Sequence, residues 1–162
     1  MLASGAILGV VVGLIVGRDW RRLASVHLRW LPLLFIAVAA RGVAPFMPGL
    51  AFVVYLFAIT STTVVAAANI RLFGSALICV GGAMNLAVVL LNVGMPVDPV
   101  AVTAAGAAMP VDALHVVLSD TTRFSALADV IAVPIVRSVY SVGDFCIAGG
   151  GFLVPFALLV RR

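Results

Sequence analysis

The chain has 162 residues, 64% of them hydrophobic and 10% charged, far below the roughly 25% charged expected of a soluble domain. Together with a mean hydropathy of +1.28, this reads as an integral membrane protein. All ten basic residues are Arg and all six acidic ones Asp, and the Arg side chains gather at segment ends without interleaved aromatic residues, which argues against a nucleic-acid partner and for membrane orientation.

The first segment, about Leu2 to Gly17, carries Gly5, Gly9, Gly13 and Gly17 at a strict spacing of four. Such a stripe of small residues lets another helix approach closely, and close packing replaces the hydrophobic drive that lipid does not supply. The partner is a helix of the same chain or a second copy. No basic region precedes this segment, so it is expected to be retained rather than cleaved as a signal. Arg18, Arg21, Arg22 and Arg29 then cluster beside Trp20 and Trp30, the pattern of a cytoplasmic loop at headgroup level.

Segment two, about Leu28 to Phe46, holds Arg41 near its outer end, before Pro45 and Pro48. Arg41 either snorkels outward or pairs with an Asp of the outer connection. Segment three, about Leu50 to Ile70, carries Thr60, Ser61, Thr62 and Thr63, whose hydroxyls can bond carbonyls of the preceding turn. Asn69 and Arg71 mark its inner end, and the short turn that follows makes segment four, about Leu72 to Asn92, its antiparallel neighbour. Asn85 and Asn92 lie one heptad apart, on nearly the same face as Gly81, and an amide in hydrocarbon needs a partner. This face is expected to look into protein or a cavity.

Gly94 and Pro96 end segment four with a sharp turn. Residues 93–140 then form the long outer connection, too apolar for a solvated linker. Met95-Pro-Val-Asp98 recurs as Met109-Pro-Val-Asp112, and each Asp is predicted to N-cap a short helix lying across the membrane surface. Segment five runs from Ser141-Val-Gly-Asp144 to Val160, with Ser141 as N-cap and Asp144 in the first turn. The fold class is therefore all-α: a single polytopic membrane domain over 1–162, with about five transmembrane helices and a partly helical outer connection between the fourth and fifth. An outside N-terminus places Arg18, Arg21, Arg22, Arg29, Arg71, Arg161 and Arg162 in the cytoplasm. Cys79 and Cys146 fall within apolar segments, so no disulfide framework is implied.

Asn85, Asn92-Val-Gly-Met-Pro-Val97, His115, Thr122-Arg123, Leu127-Ala-Asp129 and Ser141-Val-Gly-Asp144 together resemble the small bacterial membrane proteins grouped as domain of unknown function 5317. The resemblance covers nearly the whole chain. Val93 stands where that family typically has a second Gly, which makes the turn stiffer. The resemblance implies a fold, a bacterial plasma membrane location and a site position, with no activity attached.

The candidate polar site comprises Asn85, Asn92, His115, Asp120, Arg123, Asp129 and Asp144. His115 could serve as a general base oriented by a carboxylate, with Arg123 holding a phosphate, but no nucleophile elbow, paired-His metal spacing or glycine-rich phosphate loop accompanies them. No metal and no cofactor is expected. The reading favoured by the absence of catalytic spacing is an accessory or structural subunit whose outer connection binds lipid, another membrane protein or a second copy. A transporter component and an enzyme acting on lipid headgroups are the alternatives. Arg123 is expected to pair with Asp144, or else with Asp129, closing the connection over the ends of segments four and five.

Overall fold

The computed structural model describes residues 1–17, 21–25, 27–47, 49–110 and 112–160, apart from the side chains of Arg22 and Ala24. Arg18, Asp19, Trp20, Pro48, Arg161 and Arg162 lie outside the described residues. Five long helices carry the apolar sequence: α1 (Leu2–Gly17), α3 (Leu31–Val43), α4 (Ala51–Ala68), α5 (Ser75–Asn92) and α7 (Val142–Val160), with short helices α2 (Arg21–Ser25) and α6 (Pro99–Ala104) between them. Three of them, α4, α5 and α7, are long and apolar enough to cross a membrane, and α1 and the helical stretch 31–46 are shorter apolar helices. Pro32 starts α3 with its fixed backbone angle.

The long helices pack in the order α1, α7, α5, α4, α3. The α1–α7 contact is the closest, and the glycine stripe makes it: Gly5, Gly9 and Gly13 are buried. A side chain at Gly9 would run into the Phe152 carbonyl and come within 2.9 Å of Pro155 Cγ, and one at Gly13 would lie 2.7 Å from Leu159 Cδ1. The stripe thus faces a helix of the same chain. Large apolar side chains cover the outside, with Ile7, Ile15, Phe35, Val53 and Leu90 all more than half exposed, more apolar surface than water tolerates on a monomer.

The connection departs from an all-α fold. Four strands of three residues each appear in it: β1 (Met95–Val97) pairs in parallel with β2 (His115–Val117), and β3 (Ile131–Val133) pairs antiparallel with β4 (Ser138–Tyr140). Asp98 caps α6 as expected, its carboxylate accepting from the Val100 N–H at 2.8 Å. Asp112 starts no helix. Its Oδ1 accepts from the N–H groups of Leu114 (2.8 Å) and His115 (3.0 Å), the same side-chain-to-backbone chemistry used to turn the chain into β2. Gly94 makes the β1–β2 approach possible, since a Cβ there would sit 2.7 Å from Val116 Cγ1 and 2.9 Å from the Leu114 oxygen. Val93 just before it is held left-handed, at φ 54° and ψ 34°, a conformation that costs a non-glycine residue roughly 1–2 kcal/mol.

Candidate functional site

The site begins where α5 and α7 touch. Gly81 lies against the Gly143 carbonyl, and this contact brings Asn85 to the first turn of α7. Ser141, fully buried, caps that turn: its Oγ accepts from the Asp144 N–H at 3.0 Å, while the Ser141 N–H donates to Asp144 Oδ2 at 3.3 Å, a reciprocal capping box. Asn85 Nδ2 donates to Asp144 Oδ1 at 3.2 Å, and the Ser141 hydroxyl has Asn85 Oδ1 (3.0 Å) and Asp144 Oδ2 (3.2 Å) as acceptors for its single proton. The amide is thereby spent on holding the Asp144 carboxylate in place.

The connection closes over this end of the bundle. Backbone bonds fix Asp129 between Pro96 and Asp98: the Asp129 N–H donates to the Pro96 oxygen (2.9 Å) and the Asp98 N–H to the Asp129 oxygen (3.0 Å). Pro96 needs only its carbonyl there. Beside it, Asp112 grips His115 Nδ1 at 2.8 Å with either carboxylate oxygen, and His115 Nε2 faces Asp129 Oδ2 at 3.8 Å. A carboxylate on Nδ1 favours a proton there and leaves Nε2 as the acceptor in the neutral ring.

Asp129, 6% exposed, is the least satisfied group of the site, because Oδ1 is fully buried without a hydrogen-bond partner among the described residues. Burial, and next the nearby charge of Asp144, push its carboxyl up to about 8, with Arg41 acting in the opposite sense. Asp112 goes the other way. Partial burial works against its charged form, but the Leu114 and His115 N–H groups and the His115 ring outweigh this and hold it below its usual value.

Asn85, His115, Asp129 and Asp144 line one cavity of about 270 Å³, which α1, α3, α4, α5 and α7 all help to wall. Arg41 reaches it from α3, its guanidinium 4.5 Å from the centre of the Tyr55 ring. Among the described residues, Arg41 has no hydrogen bond and forms no ion pair with a carboxylate, so of its two alternatives the pairing with an outer Asp is absent. A second cavity of about 370 Å³ lies beside the first, walled by apolar side chains such as Val10, Leu34, Val65, Val154 and Leu158. Leu2, Ala3, Val38, Thr62 and Ile78 line both. A chamber with a cluster of polar groups under the connection, otherwise apolar, therefore adjoins one that is apolar almost throughout.

Three of the candidate residues are not in the chamber. Asn92, in the last turn of α5, clamps the connection instead: its Oδ1 accepts from the Arg123 N–H (2.9 Å), and its Nδ2 donates to the oxygens of Arg123 (3.0 Å) and Val88 (2.8 Å). Arg123 offers only its backbone. Its exposed side chain makes no ion pair among the described residues, and Asp144 is held by Asn85 and Ser141, so the expected Arg123–Asp144 bridge is absent. Asp120 lies exposed in a turn. Asn69 repeats the Asn92 device at the other end of the bundle: it accepts from the Arg29 N–H and donates to the Arg29 oxygen, both at 2.9 Å, and donates to the Val65 oxygen at 2.8 Å. Among the described residues no group of His, Cys, Asp and Glu is placed to hold a metal.

The sequence matches the family described as a family of unknown function, DUF5317, over residues 21–156. That stretch contains Arg41, Asn85, His115, Asp129 and Asp144. No curated protein and no solved structure matches the chain.

Proposed function

Starting from the premise that the chain belongs to the DUF5317 family, we propose that it is a multi-pass membrane protein that binds an amphiphile, with the headgroup in the polar chamber and the acyl chain in the apolar one. The observation that carries this reading is the junction of the two cavities, shared by Leu2, Ala3, Val38, Thr62 and Ile78. Apolar walls hold alkyl chain by burial, and a few convergent polar groups fix orientation. In this reading all five long helices cross the membrane. The connection with its Asp residues is outside, and Arg21, Arg29 and Arg71 are inside. Lipid held in this way suits an accessory subunit as well as a carrier.

Native mass spectrometry of the detergent-extracted protein tests the binding. A retained phospholipid mass is expected, and it should be lost in Val38→Trp, which fills the junction from a side chain that is 54% exposed and so leaves the helix contacts intact. Retention of the same lipid by both proteins would refute the site. For the orientation, His27→Cys should resist and Asp120→Cys accept an impermeant thiol reagent in intact cells, in a Cys79→Ala, Cys146→Ala background. The reverse pattern would invert the protein.

The Asp112–His115 pair favours a second reading, in which His115 Nε2 takes a proton from a water that attacks a headgroup ester. Recovery of cleaved lipid from wild type but not from His115→Asn would establish it.

A further inference from the structure

We infer that the polar chamber selects a zwitterionic headgroup, an ammonium bearing N–H groups next to an anion; this rests on the amphiphile reading and names its ligand class. The argument is an inventory of donors and acceptors. On α4, α5, α7 and the connection the polar groups around the chamber are acceptors or donors already in use; α3 brings Arg41 and α1 the Met1 amine. From α4, the Thr62 and Thr63 hydroxyls donate to the Ala58 and Ile59 oxygens, each at 2.8 Å, which leaves their lone pairs for a ligand. From α5, Asn85 donates to Asp144 and receives from Ser141. From α7 comes the Asp144 carboxylate. The connection supplies Asp129, nine-tenths buried, with Oδ1 unpartnered, and His115 with Asp112 behind it at 2.8 Å.

Three carboxyl groups thus face or back the chamber against Arg41, His115 and the Met1 amine. Asp112 and Asp144 already accept hydrogen bonds, so an incoming donor serves Asp129, and a buried acceptor left without one is costly. Arg41 has the opposite need. Its charge reaches Asp129, yet its N–H groups have no acceptor among the described residues, and a guanidinium in that state suits a phosphate or carboxylate oxygen. A ligand with an amine and an anion a few bonds apart meets both demands.

Binding moves a proton. The Asp129 carboxyl holds one at neutral pH, and an ammonium delivered beside this carboxyl favours the carboxylate, so the R–NH₃⁺ stays intact while Asp129 releases H⁺ to solvent. His115, Arg41, Asp144 and the Met1 amine are the other charged or titratable groups around the chamber that holds Asp129, and Asp112 stands behind His115. No covalent bond changes.

The test is isothermal titration of the full-length protein in detergent with three dihexanoyl lipids: phosphatidylethanolamine, phosphatidylcholine, which keeps the charge but has no N–H, and phosphatidylglycerol, which has no cation. Glycerophosphoethanolamine is the headgroup-only arm. The ethanolamine lipid should bind about tenfold or more tightly than the other two, the worth of one charge-assisted hydrogen bond. It should also release protons near pH 7, read from the heat in buffers of different ionisation enthalpy. Asp129→Asn should abolish the release and reduce the preference to less than about threefold. Equal binding of all three lipids by wild type refutes the amine inference while the amphiphile reading stands; binding of none refutes both. Preference for glycerol or choline, wild-type binding of the ethanolamine lipid without proton release, or a preference unchanged in Asp129→Asn also overturns it. Proton release by wild type needs no variant, so a misfolded Asp129→Asn would not leave the inference untested. Glycerophosphoethanolamine binding as tightly as the lipid would identify the ligand as a soluble phospho-amine, keep the headgroup chemistry and overturn the amphiphile reading.

Discussion

Replacing Asp129 by Asn should make the protein more stable, and increasingly so as the pH rises from about 4 to about 8. In the folded protein the carboxyl titrates near 8, against 3.8 for an unperturbed Asp. Between these values the unfolded chain is ionised at this position while the folded chain keeps its proton. The folded state then binds more protons, and stability falls as pH rises through the window, levelling off above about 8. A shift of about 4 units at about 1.4 kcal/mol per unit sets a ceiling of roughly 6 kcal/mol. Water reaching the chamber relaxes the ionised form, so about 2–3 kcal/mol should survive. Asn fills the same space without a charge. Thermal unfolding of both proteins in the same detergent, from pH 4.5 to 9, isolates Asp129 because every other group titrates in both. The melting-temperature difference should widen in favour of Asp129→Asn up to about pH 8 and then stay constant. A difference independent of pH would refute the buried, proton-holding carboxyl.

The Asn92 clamp separates side chain from backbone: Asn92→Ala should cost about 1–3 kcal/mol in denaturant or thermal unfolding, whereas Arg123→Ala should stay within about 0.5 kcal/mol of wild type. Equal losses would restore a role for the guanidinium. Val93→Gly should stabilise by about 0.5–1.5 kcal/mol, since the left-handed backbone suits Gly and the 73% exposed side chain gives up little packing; a lower melting temperature would contradict the strain. Gly9→Val should cost more than about 2 kcal/mol by forcing α1 off the Phe152 carbonyl, and unchanged stability would mean that α1 does not pack there.

The longest helices were legible because apolar runs long enough to cross a membrane announce themselves; segments three, four and five match α4, α5 and α7 to within a few residues. The capping box at Ser141 and Asp144 was legible for a similar reason, being local. The strands were not, since three residues are too few to show a period of two, and the β1–β2 pairing joins positions twenty apart, as in Met95 with His115. Asp98 and Asp112 look alike in sequence and use the same carboxylate-to-N–H chemistry. What differs is the continuation, Pro99 entering a helix in one case and an open β1 edge accepting β2 in the other. The shared face of Asn85 and Asn92 looks into a cavity at Asn85 and into protein at Asn92, because the last turn of a helix has free carbonyls and a neighbouring loop for an amide to bond. Arg123 seemed destined for an ion pair on proximity in sequence, but an exposed pair gains only about 0–1 kcal/mol and nothing enforces it. Arg41, the cation that does reach the chamber, carried only the signal of a lone Arg in an apolar segment.

The account rests on an acyl chain lying inside the bundle rather than only around it. A phospholipid with a diazirine in its acyl chain, reconstituted with the protein and photolysed, reports this directly through the positions of its adducts. Labelling of Val10, Leu34, Val65 or Leu158 that saturates, is competed by unlabelled lipid and disappears in Val38→Trp is the predicted result. Adducts confined to outward residues such as Ile15, Phe35 and Val53, without saturation, would contradict it.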